Sequence, residues 1–432
     1  MKTVTFTRAM QTRIYRLPLT AAPRSFCSVP VRMQPRRPQQ VLVKENGLQV
    51  AWSPSHSSFF HREWLHRNRP GAISSSGQNM QESRSEAPER IRSAAFNGER
   101  MTVEVVWEGE AVASEYPVKM LQEQDCSSGA LKERSMQRKS TPLMERNGGT
   151  VPRISYDRVM TSEDGVFEWM DHIMQDGLCI VQDTPCHEEG EVTKLARRIG
   201  NVMDTIYGEI WDVRLEHDPI NIAYTSLGLD LHQDLAYYES PPGLQLLHCM
   251  RFDDGILGGD STFADAIQAA ELLRKSDKEA FDTLVRVPAT FQKIHYARAS
   301  PVHLKYQRPH IVLNHDEEVV AVFWAPAFEG PLQVPEGQVQ RYFDAYKKFA
   351  HLVEDEANGL KISFRLKQGE TVVFNNRRML HGRTSFKPSG TESATRHLQG
   401  CYLSIESFVS RYNCLLHERS CRSENAYVPR DV

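Results

Sequence analysis

The feature that most restricts the fold is a series of short apolar segments after residue 220, separated by Gly and Pro. These segments have the length and composition of β-strands: LQLLHCMRF, VVAVFWA, KISFRL, ETVVFNN and LQGCYLSI. Only two helical patterns interrupt them, AIQAAELLRKSDKEAFDTLV and EGQVQRYFDAYKKFAHLVEDE. A parallel α/β sheet needs a helix between successive strands, so the pattern predicts a mainly β sandwich or barrel with flanking helices.

The chain divides into four predicted segments. Residues 1–40 form a basic tail, and residues 41–125 form a small β-rich domain because VLVKENGLQVAW carries the Asn46-Gly47 hairpin signal. Residues 126–150 are too polar to bury a core and are predicted to be a linker, as is the stretch 74–100. Residues 151–420 form one large domain.

The N-terminal segment has an unusual charge pattern. It contains no Asp or Glu before Glu45, but nine Lys and Arg residues and many Ser and Thr. Such a composition is typical of a mitochondrial presequence, although a disordered basic tail or a misassigned start codon explains it as well. The expected location is therefore mitochondrial or cytoplasmic, with a slight preference for mitochondrial.

The overall composition narrows the classes of partner. Apolar residues make up 40% of the chain and its formal net charge is −3, so no basic field for nucleic acid is present. No run approaches the roughly 18 apolar residues of a membrane-spanning helix. The eight cysteines are scattered without a CxxC pair, which favours a reducing compartment. A small-molecule partner is expected, and neither nucleic acid nor a membrane.

Three residues form a candidate metal site. On an extended strand, His232 and Asp234 point to the same face because side chains alternate. His381, at the end of an apolar strand, is the candidate third ligand. Two histidines and one carboxylate are the ligand set of non-haem Fe(II) oxygenases. A His-X-Asp triplet alone is weak, since His232 could be a buried core histidine.

A candidate anion-binding residue follows on a later strand. Arg396 lies in an otherwise apolar strand, where a guanidinium is costly unless it meets an anion. Its planar fork suits a carboxylate, and that of 2-oxoglutarate is the expected partner. The occurrence of this arginine together with the three candidate metal ligands is a strong signal and argues against a chance pattern.

From about residue 160 to 415 the chain resembles the γ-butyrobetaine and trimethyllysine dioxygenases of the taurine-dioxygenase-like group. The matching segments are Asn221 to Thr225, Leu229 to Asp234, Pro242 to Cys249, Gly258 to Ser261, Leu380 to Arg383 and Arg396 to Leu398. The resemblance implies a double-stranded β-helix (jelly roll) domain, Fe(II), 2-oxoglutarate and O₂ as co-substrates, ascorbate as a candidate reductant, and a homodimer. It also implies that Ser261 assists 2-oxoglutarate binding.

The resemblance also suggests a substrate. In γ-butyrobetaine dioxygenases a trimethylammonium group sits in an aromatic cage, and the matching positions here are Tyr207, Trp211 and Tyr224. Tyr402 is a further candidate for substrate binding. Asn221 matches a position that helps to bind the substrate carboxylate. The expected substrate is γ-butyrobetaine or a similar quaternary amino acid, which places the enzyme in carnitine biosynthesis. Alternatively, the aromatic residues are simply part of the core.

Several positions depart from the family pattern. Leu235 follows the metal Asp where relatives can carry Tyr, and Trp324-Ala325-Pro326 replaces an Asn-Asn pair that is expected to hold the substrate carboxylate. Residues 41–125 lack cysteine, so the Cys₃His zinc site of relatives is not expected. These differences leave open hydroxylation of another small carboxylate in specialised metabolism, and a non-catalytic binding module.

Overall fold

The computed structural model describes residues 36–74, 76–81, 90–138, 148–214, 222–388 and 395–423. The first 35 residues of the predicted basic segment lie outside these ranges, as does Asn221. No helix within the described ranges is long and apolar enough to cross a membrane.

The N-terminal part contains two three-stranded antiparallel sheets around a core of its own. Apolar residues alternate along the strands, so that Val103, Val105 and Trp107 are fully buried on one face. The hairpin predicted at Asn46-Gly47 is present, with Lys44 paired to Gly47. The elements are β1 (Gln40–Lys44), β2 (Gly47–Ser53), β3 (His56–His61), α1 (Arg62–Arg67), β4 (Ile91–Asn97), β5 (Thr102–Trp107), β6 (Ser114–Pro117) and α2 (Val118–Glu123).

Both segments predicted to be linkers contain regular structure. Strand β4 lies inside the stretch 74–100 and pairs with β5. This pairing satisfies the backbone hydrogen bonds of β4, and the polar composition of the stretch gave no sign of it. Helix α3 (Ser128–Arg138) lies inside 126–150. The Ser127 backbone carbonyl accepts a hydrogen bond from the amide of Leu131 at 2.9 Å, so the helix is started by local bonds rather than by apolar burial.

The large C-terminal part is built on two sheets. The order of the six-stranded sheet is β7-β8-β19-β11-β22-β9, antiparallel except for the parallel pair β7-β8. Its strands are β7 (Arg153–Ser155), β8 (Leu178–Gln182), β9 (Trp211–Val213), β11 (Leu244–Phe252), β19 (Thr371–Asn375) and β22 (Arg396–Leu403). The order of the four-stranded sheet is β10-β20-β13-β18, from β10 (Leu229–His232), β13 (Ser261–Asp265), β18 (Lys361–Phe364) and β20 (Met379–Arg383).

The six-stranded sheet is buried on both faces. Leu244 and Leu246 pack outward against helices, whereas Gln245 and Leu247 point inward, as expected for alternating side chains. The helices on the outer face are α4 (Tyr156–Thr161), α5 (Glu163–Asp176), α6 (Glu191–Ala196) and α10 (Ile405–Ser423).

The inner faces of the two sheets contact each other. The rings of Phe263 in β13 and Phe374 in β19 are 5.0 Å apart and belong to the largest core cluster. The remaining elements are α7 (Ala266–Ser276), α8 (Lys278–Arg286), α9 (Glu336–Glu354), β12 (Ile256–Gly258), β14 (Pro288–His295), β15 (Val302–Pro309), β16 (Ile311–Leu313), β17 (Val319–Val322), β21 (Phe386–Pro388) and short 3₁₀ turns at Ile222–Tyr224, Pro326–Phe328 and Glu356–Asn358.

Candidate active site

The three residues predicted to bind metal lie together between the sheets. Ligand atoms of His232, Asp234 and His381 all lie within 4.8 Å of one another. Pairing of β10 with β20 places His232 directly opposite His381. The Nε2 atoms of the two histidines are 3.6 and 3.8 Å from the Asp234 carboxylate oxygens. Two adjacent strands therefore bring together residues that are far apart in the sequence.

The backbone at Asp234 differs from the extended strand that we expected. Strand β10 ends at His232, and Leu235 has a positive φ of 58°. Gln233 instead bonds to a distant segment: its amide donates to the Trp324 carbonyl at 2.8 Å, and its Oε1 accepts from the Trp324 amide at 3.0 Å. The side chains of His232 and Asp234 still converge because this contact fixes the residue between them.

Polar neighbours hold the Asp234 carboxylate and its backbone. Gln245 Nε2 and Tyr402 Oη both donate to Oδ2, at 2.8 and 2.7 Å. Asn376 accepts from the Asp234 amide at 3.2 Å and donates to its carbonyl at 3.1 Å. With Oδ2 engaged twice, Oδ1 is the oxygen that remains for a metal.

The ionisation of the three residues follows from burial and mutual contact. Burial opposes protonation of His232, but the hydrogen bond and charge of Asp234 raise its pKa above the ordinary value. Burial lowers the pKa of His381 to about 3, and His232 adds to the effect. Although burial opposes ionisation of Asp234, the two histidines hold its pKa well below the usual range. The cluster therefore keeps an ionised carboxylate at neutral pH.

These residues fit ferrous iron. His232 Nδ1 is 2.7 Å from the Asp230 carbonyl, and a proton donated there leaves Nε2 as the metal-binding nitrogen. Two imidazole nitrogens and one carboxylate oxygen on one side of an ion leave further coordination positions open. Other ligands can therefore reach the same ion from the cavity that these residues line.

Arg396 lies in the same cavity and is only 5% exposed. Burial lowers its pKa to about 10, and its Nε has no hydrogen-bond partner in the described part of the chain. The rings of Phe252 and Phe386 lie 5.3 and 5.8 Å from its guanidinium carbon. Ser261 also lines the cavity. A buried guanidinium with an unused donor fits a carboxylate such as the far end of 2-oxoglutarate.

Four of the aromatic residues that line the cavity are together called the aromatic wall. They are Tyr207, Trp211, Tyr224 and Tyr402, so the structure brings together the three predicted cage residues and Tyr402, the further candidate for substrate binding. The ring centroids of Trp211 and Tyr402 are 5.1 Å apart. Gly400 makes room for the indole, because a Cβ at this position would lie 2.3 Å from Trp211.

The segment Trp324-Ala325-Pro326, which departs from the family pattern, directs its tryptophan ring away from the cavity. The Trp324 ring is buried, 4.3 Å from Tyr346 and 4.9 Å from Phe349 of helix α9. Pro326 and Phe328 face the cavity instead. The side chains that this segment presents to the cavity are therefore apolar.

Sequence reasoning missed several residues of the site. Gln245 and Asn376 support Asp234, Tyr237 lies 3.5 Å from the Tyr207 hydroxyl, and Arg383 lines the cavity. Arg383 donates to the carbonyls of Ala223, Thr225 and Leu227 at 3.1, 2.8 and 2.6 Å. These bonds connect the segment around Tyr224 to strand β20, which carries His381. A polar residue within an apolar strand was the available signal for Gln245 and Arg383.

Comparisons with known proteins agree with this geometry. A model of the taurine catabolism dioxygenase TauD, TfdA family matches residues 138–402. The γ-butyrobetaine dioxygenase of Pseudomonas sp. (strain AK-1) is 31% identical over 373 residues, which cover 85% of this chain and 93% of that protein. Dioxygenase str8 of Strobilurus tenacellus is 33% identical over 267 residues, 60% of this chain and 61% of that protein.

Among solved structures, a taurine dioxygenase from Burkholderia xenovorans matches with a TM-score of 0.43 and 14% identity, over 59% of this chain and 88% of that chain. The family model covers more than half of the sequence, and the Pseudomonas relative aligns over most of both chains. The chain therefore belongs to the TauD/TfdA dioxygenase family and is a 2-oxoglutarate-dependent dioxygenase.

Proposed function

We propose that the enzyme hydroxylates γ-butyrobetaine or a similar trimethylammonium carboxylate, a step of carnitine biosynthesis. The observation that carries the proposal is that four aromatic residues line the same cavity as the metal-binding triad. Alignment with a γ-butyrobetaine dioxygenase over 85% of the chain supports it.

The architecture of the chain supports the same proposal. The four-stranded and six-stranded sheets enclose the site, as expected for a double-stranded β-helix within residues 151–420. The N-terminal sheets have their own core, which supports a separate small domain within residues 41–125.

Each side chain of the site has a distinct task. His232, Asp234 and His381 hold Fe(II), and Tyr402 and Gln245 orient the carboxylate ligand. Arg396 pairs with the far carboxylate of 2-oxoglutarate. When bound, iron and 2-oxoglutarate use O₂ to oxidise an unactivated C–H bond, with release of succinate and CO₂. Leu247, Leu398 and Phe328 line the cavity with apolar surface that excludes water.

The aromatic wall gives the site its preference for a quaternary cation. A trimethylammonium group has no N–H donors and is attracted to the faces of aromatic rings, by about 0.5–2 kcal/mol for each ring. Trp211 and Tyr402 are nearly fully buried, so this attraction is not weakened by water. Binding of the cation at this wall positions a C–H bond of the attached chain near the metal.

A second candidate is the same reaction on a different small carboxylate. It is favoured by Trp324, whose ring packs into the core where relatives are expected to present an amide to the substrate. The apolar Pro326 and Phe328 leave the cavity wall without that amide. A bulkier or differently placed acid is compatible with such a wall.

Succinate formation by purified enzyme with Fe(II), 2-oxoglutarate and a panel of betaines and other small acids tests the proposal. We expect γ-butyrobetaine to stimulate turnover. The Trp211→Ala variant should impair turnover of the trimethylated substrate more than the substrate-free decarboxylation of 2-oxoglutarate. Stimulation by another acid but not by γ-butyrobetaine would establish the second candidate, and equal loss of both activities in Trp211→Ala would exclude the cage.

A further inference from the structure

Three arginines and two phenylalanine rings form an alternating series of contacts that has Arg396 at its centre. The guanidinium carbon of Arg365 lies 3.8 Å from the ring centroid of Phe252, and that of Arg396 lies 5.3 Å from the same centroid. Arg396 also lies 5.8 Å from the ring centroid of Phe386, and the guanidinium carbon of Arg383 is 4.9 Å from that ring. We call these five residues the arginine–phenylalanine series. Each neighbour of Arg396 in the series is therefore a ring.

The two outer arginines are fixed by backbone carbonyls, whereas Arg396 is not. Arg365 donates to the carbonyls of Asp253, Ile256 and Gly258, at 3.3, 2.9 and 3.1 Å. Arg383 donates to three carbonyls of the segment around Tyr224. Among the described residues, no hydrogen bond or ion pair engages the guanidinium of Arg396. The donors of the central arginine are therefore uncommitted, although its side chain is buried.

Close packing at Gly259 brings both rings and the stem of Arg396 together. A Cβ at this glycine would lie 3.2 Å from the ring of Phe252, 3.3 Å from Cβ of Phe386 and 3.4 Å from Cδ of Arg396. Gly259 also has a positive φ of 81°, which residues with a side chain rarely adopt. The two phenylalanines and the arginine therefore meet at one point of the backbone, which restricts the stem of the arginine on that side.

Aromatic rings suit this position because they attract a cation without using its hydrogen-bond donors. A guanidinium is attracted to the face of a ring by the charge distribution of the ring. A carboxylate partner would instead occupy N–H groups that a ligand needs. Burial, followed by the charge of Arg383, lowers the pKa of Arg396 to about 10, so the guanidinium stays charged at neutral pH. A cation that is already oriented, with free donors, binds a carboxylate with less loss of side-chain freedom.

We propose that Phe252 and Phe386 are positioning residues for the co-substrate, because they orient the Arg396 guanidinium toward the far carboxylate of 2-oxoglutarate. Neither ring lines the cavity, so both act through Arg396. The inference rests on the pairing of Arg396 with that carboxylate in the proposed function. Removal of either ring should impair recognition of the far carboxylate and leave recognition of the 2-oxo acid group unchanged.

Calorimetric titration of the Fe(II)-loaded enzyme without oxygen tests the proposal through binding rather than turnover. The two ligands are 2-oxoglutarate and 2-oxobutyrate, which keeps the 2-oxo acid group but lacks the far carboxylate. The test variants are Phe252→Leu and Phe386→Leu, and Phe386→Tyr retains a ring. Phe167→Leu is the matched control. Phe167 is also half-buried and lies 4.5 Å from the guanidinium carbon of Arg419, but it belongs to helix α5 and does not line the cavity.

We expect wild-type enzyme to bind 2-oxoglutarate more tightly than 2-oxobutyrate. Each leucine variant should bind 2-oxoglutarate about tenfold more weakly and 2-oxobutyrate as the wild type does. Phe386→Tyr and Phe167→Leu should keep both wild-type affinities. The positioning role is overturned if both leucine variants bind 2-oxoglutarate like the wild type, if they weaken both acids equally, or if Phe386→Tyr loses as much affinity as Phe386→Leu.

Arg396→Met separates this inference from the assignment on which it rests. This variant should lose the preference for 2-oxoglutarate over 2-oxobutyrate. If it does so while the leucine variants keep the preference, the positioning role is wrong and Arg396 remains the partner of the co-substrate. If Arg396→Met keeps the wild-type preference, the assignment of Arg396 in the proposed function is wrong, and the positioning role falls with it.

Discussion

The Tyr402 hydroxyl donates a 2.7 Å hydrogen bond to Oδ2 of Asp234. Its ring meanwhile packs against Trp211, 5.1 Å away between centroids. One side chain therefore contacts both a metal ligand and the aromatic wall proposed to bind the substrate cation. Substitutions of Tyr402 should therefore affect both metal binding and substrate binding. Because the hydroxyl contacts Asp234 and the ring contacts Trp211, removing the hydroxyl alone separates the two effects.

Replacing Tyr402 by Phe should weaken iron binding. The variant keeps the ring but removes the donor that fixes Asp234 Oδ2, and loss of such a supporting hydrogen bond typically costs about 10- to 100-fold in metal affinity. Anaerobic Fe(II) titration measures the effect. Tyr412→Phe is the matched control, because Tyr412 donates a bond of the same length to Asp171 on the outer helices. Equal Fe(II) affinities of the two variants would contradict the role of Tyr402.

Replacing Arg396 by Met should impair use of 2-oxoglutarate. Loss of a buried charge partner costs about 2 kcal/mol or more, which corresponds to a rise of roughly 30-fold in KM. The rate of 2-oxoglutarate decarboxylation at varied concentration measures it. Arg251→Gln removes an exposed guanidinium from the neighbouring strand β11 and should leave KM unchanged. An unaltered KM in Arg396→Met would assign the co-substrate to another cation.

Replacing Gly400 by Ala should disturb the aromatic wall. The new Cβ would lie 2.3 Å from the Trp211 ring, so the indole must move. Loss of one ring contact with the cation is expected to raise KM for a trimethylammonium substrate by about tenfold, with little change in KM for 2-oxoglutarate. Gly337→Ala is the control, since nothing lies within 4 Å of its added Cβ. A similar rise in KM for the trimethylammonium substrate and for 2-oxoglutarate would instead indicate general damage to the active site.

The metal ligands could be identified from the sequence because residue type and strand pattern agree there. His381 follows an apolar strand, and the structure pairs it with His232 across β10 and β20. The end of β10 at His232 could not be predicted, because the bonds that fix Gln233 come from Trp324, 91 residues away. Local sequence patterns contain no information about such a partner.

The boundary between helices α7 and α8 was also not predicted from the sequence. The apolar periodicity from Ala266 to Val285 predicts one helix, whereas the structure divides it at Asp277 into α7 and α8. The Asp277 side chain accepts from the Ala280 amide at 3.0 Å and caps the second helix. The sequence contains this capping aspartate, but the apolar periodicity continues on both sides of it and so predicts a single helix. The contact between Arg298 and Tyr207 could not be predicted either, because it forms only in the folded chain.

Two titratable groups beside helix α9, the buried His310 and the half-buried Glu329, should influence stability in opposite directions on acidification. His310 is fully buried, with its ring nitrogens 2.7 Å from the Phe323 carbonyl and the Tyr342 hydroxyl, and burial lowers its pKa to about 4. Burial raises the pKa of Glu329 to about 7, against a hydrogen bond from Tyr346. Neither residue lines the cavity, so their effect is expected on the free energy of unfolding.

The signs follow from where each proton binds. Between pH 6.5 and 4 the unfolded chain protonates His310 while the folded chain does not, so this residue lowers stability as the pH falls. Between pH 7 and 4.5 the folded chain holds a proton on Glu329 that the unfolded chain lacks, so this residue raises stability as the pH falls. Each contribution is about 3 kcal/mol in full, and in the wild type they largely offset each other.

Urea unfolding at several pH values from about 7 to 4.5 separates the two contributions. Relative to wild type, His310→Gln should become more stable as the pH falls, because only the Glu329 contribution remains. Glu329→Gln should become less stable over the same range, and the double variant should follow the wild-type slope. Parallel curves for both single variants would show that neither group changes its proton affinity on folding. Opposite slopes that do not cancel in the double variant would mean that the two groups interact through Tyr342 and Tyr346, which lie between them.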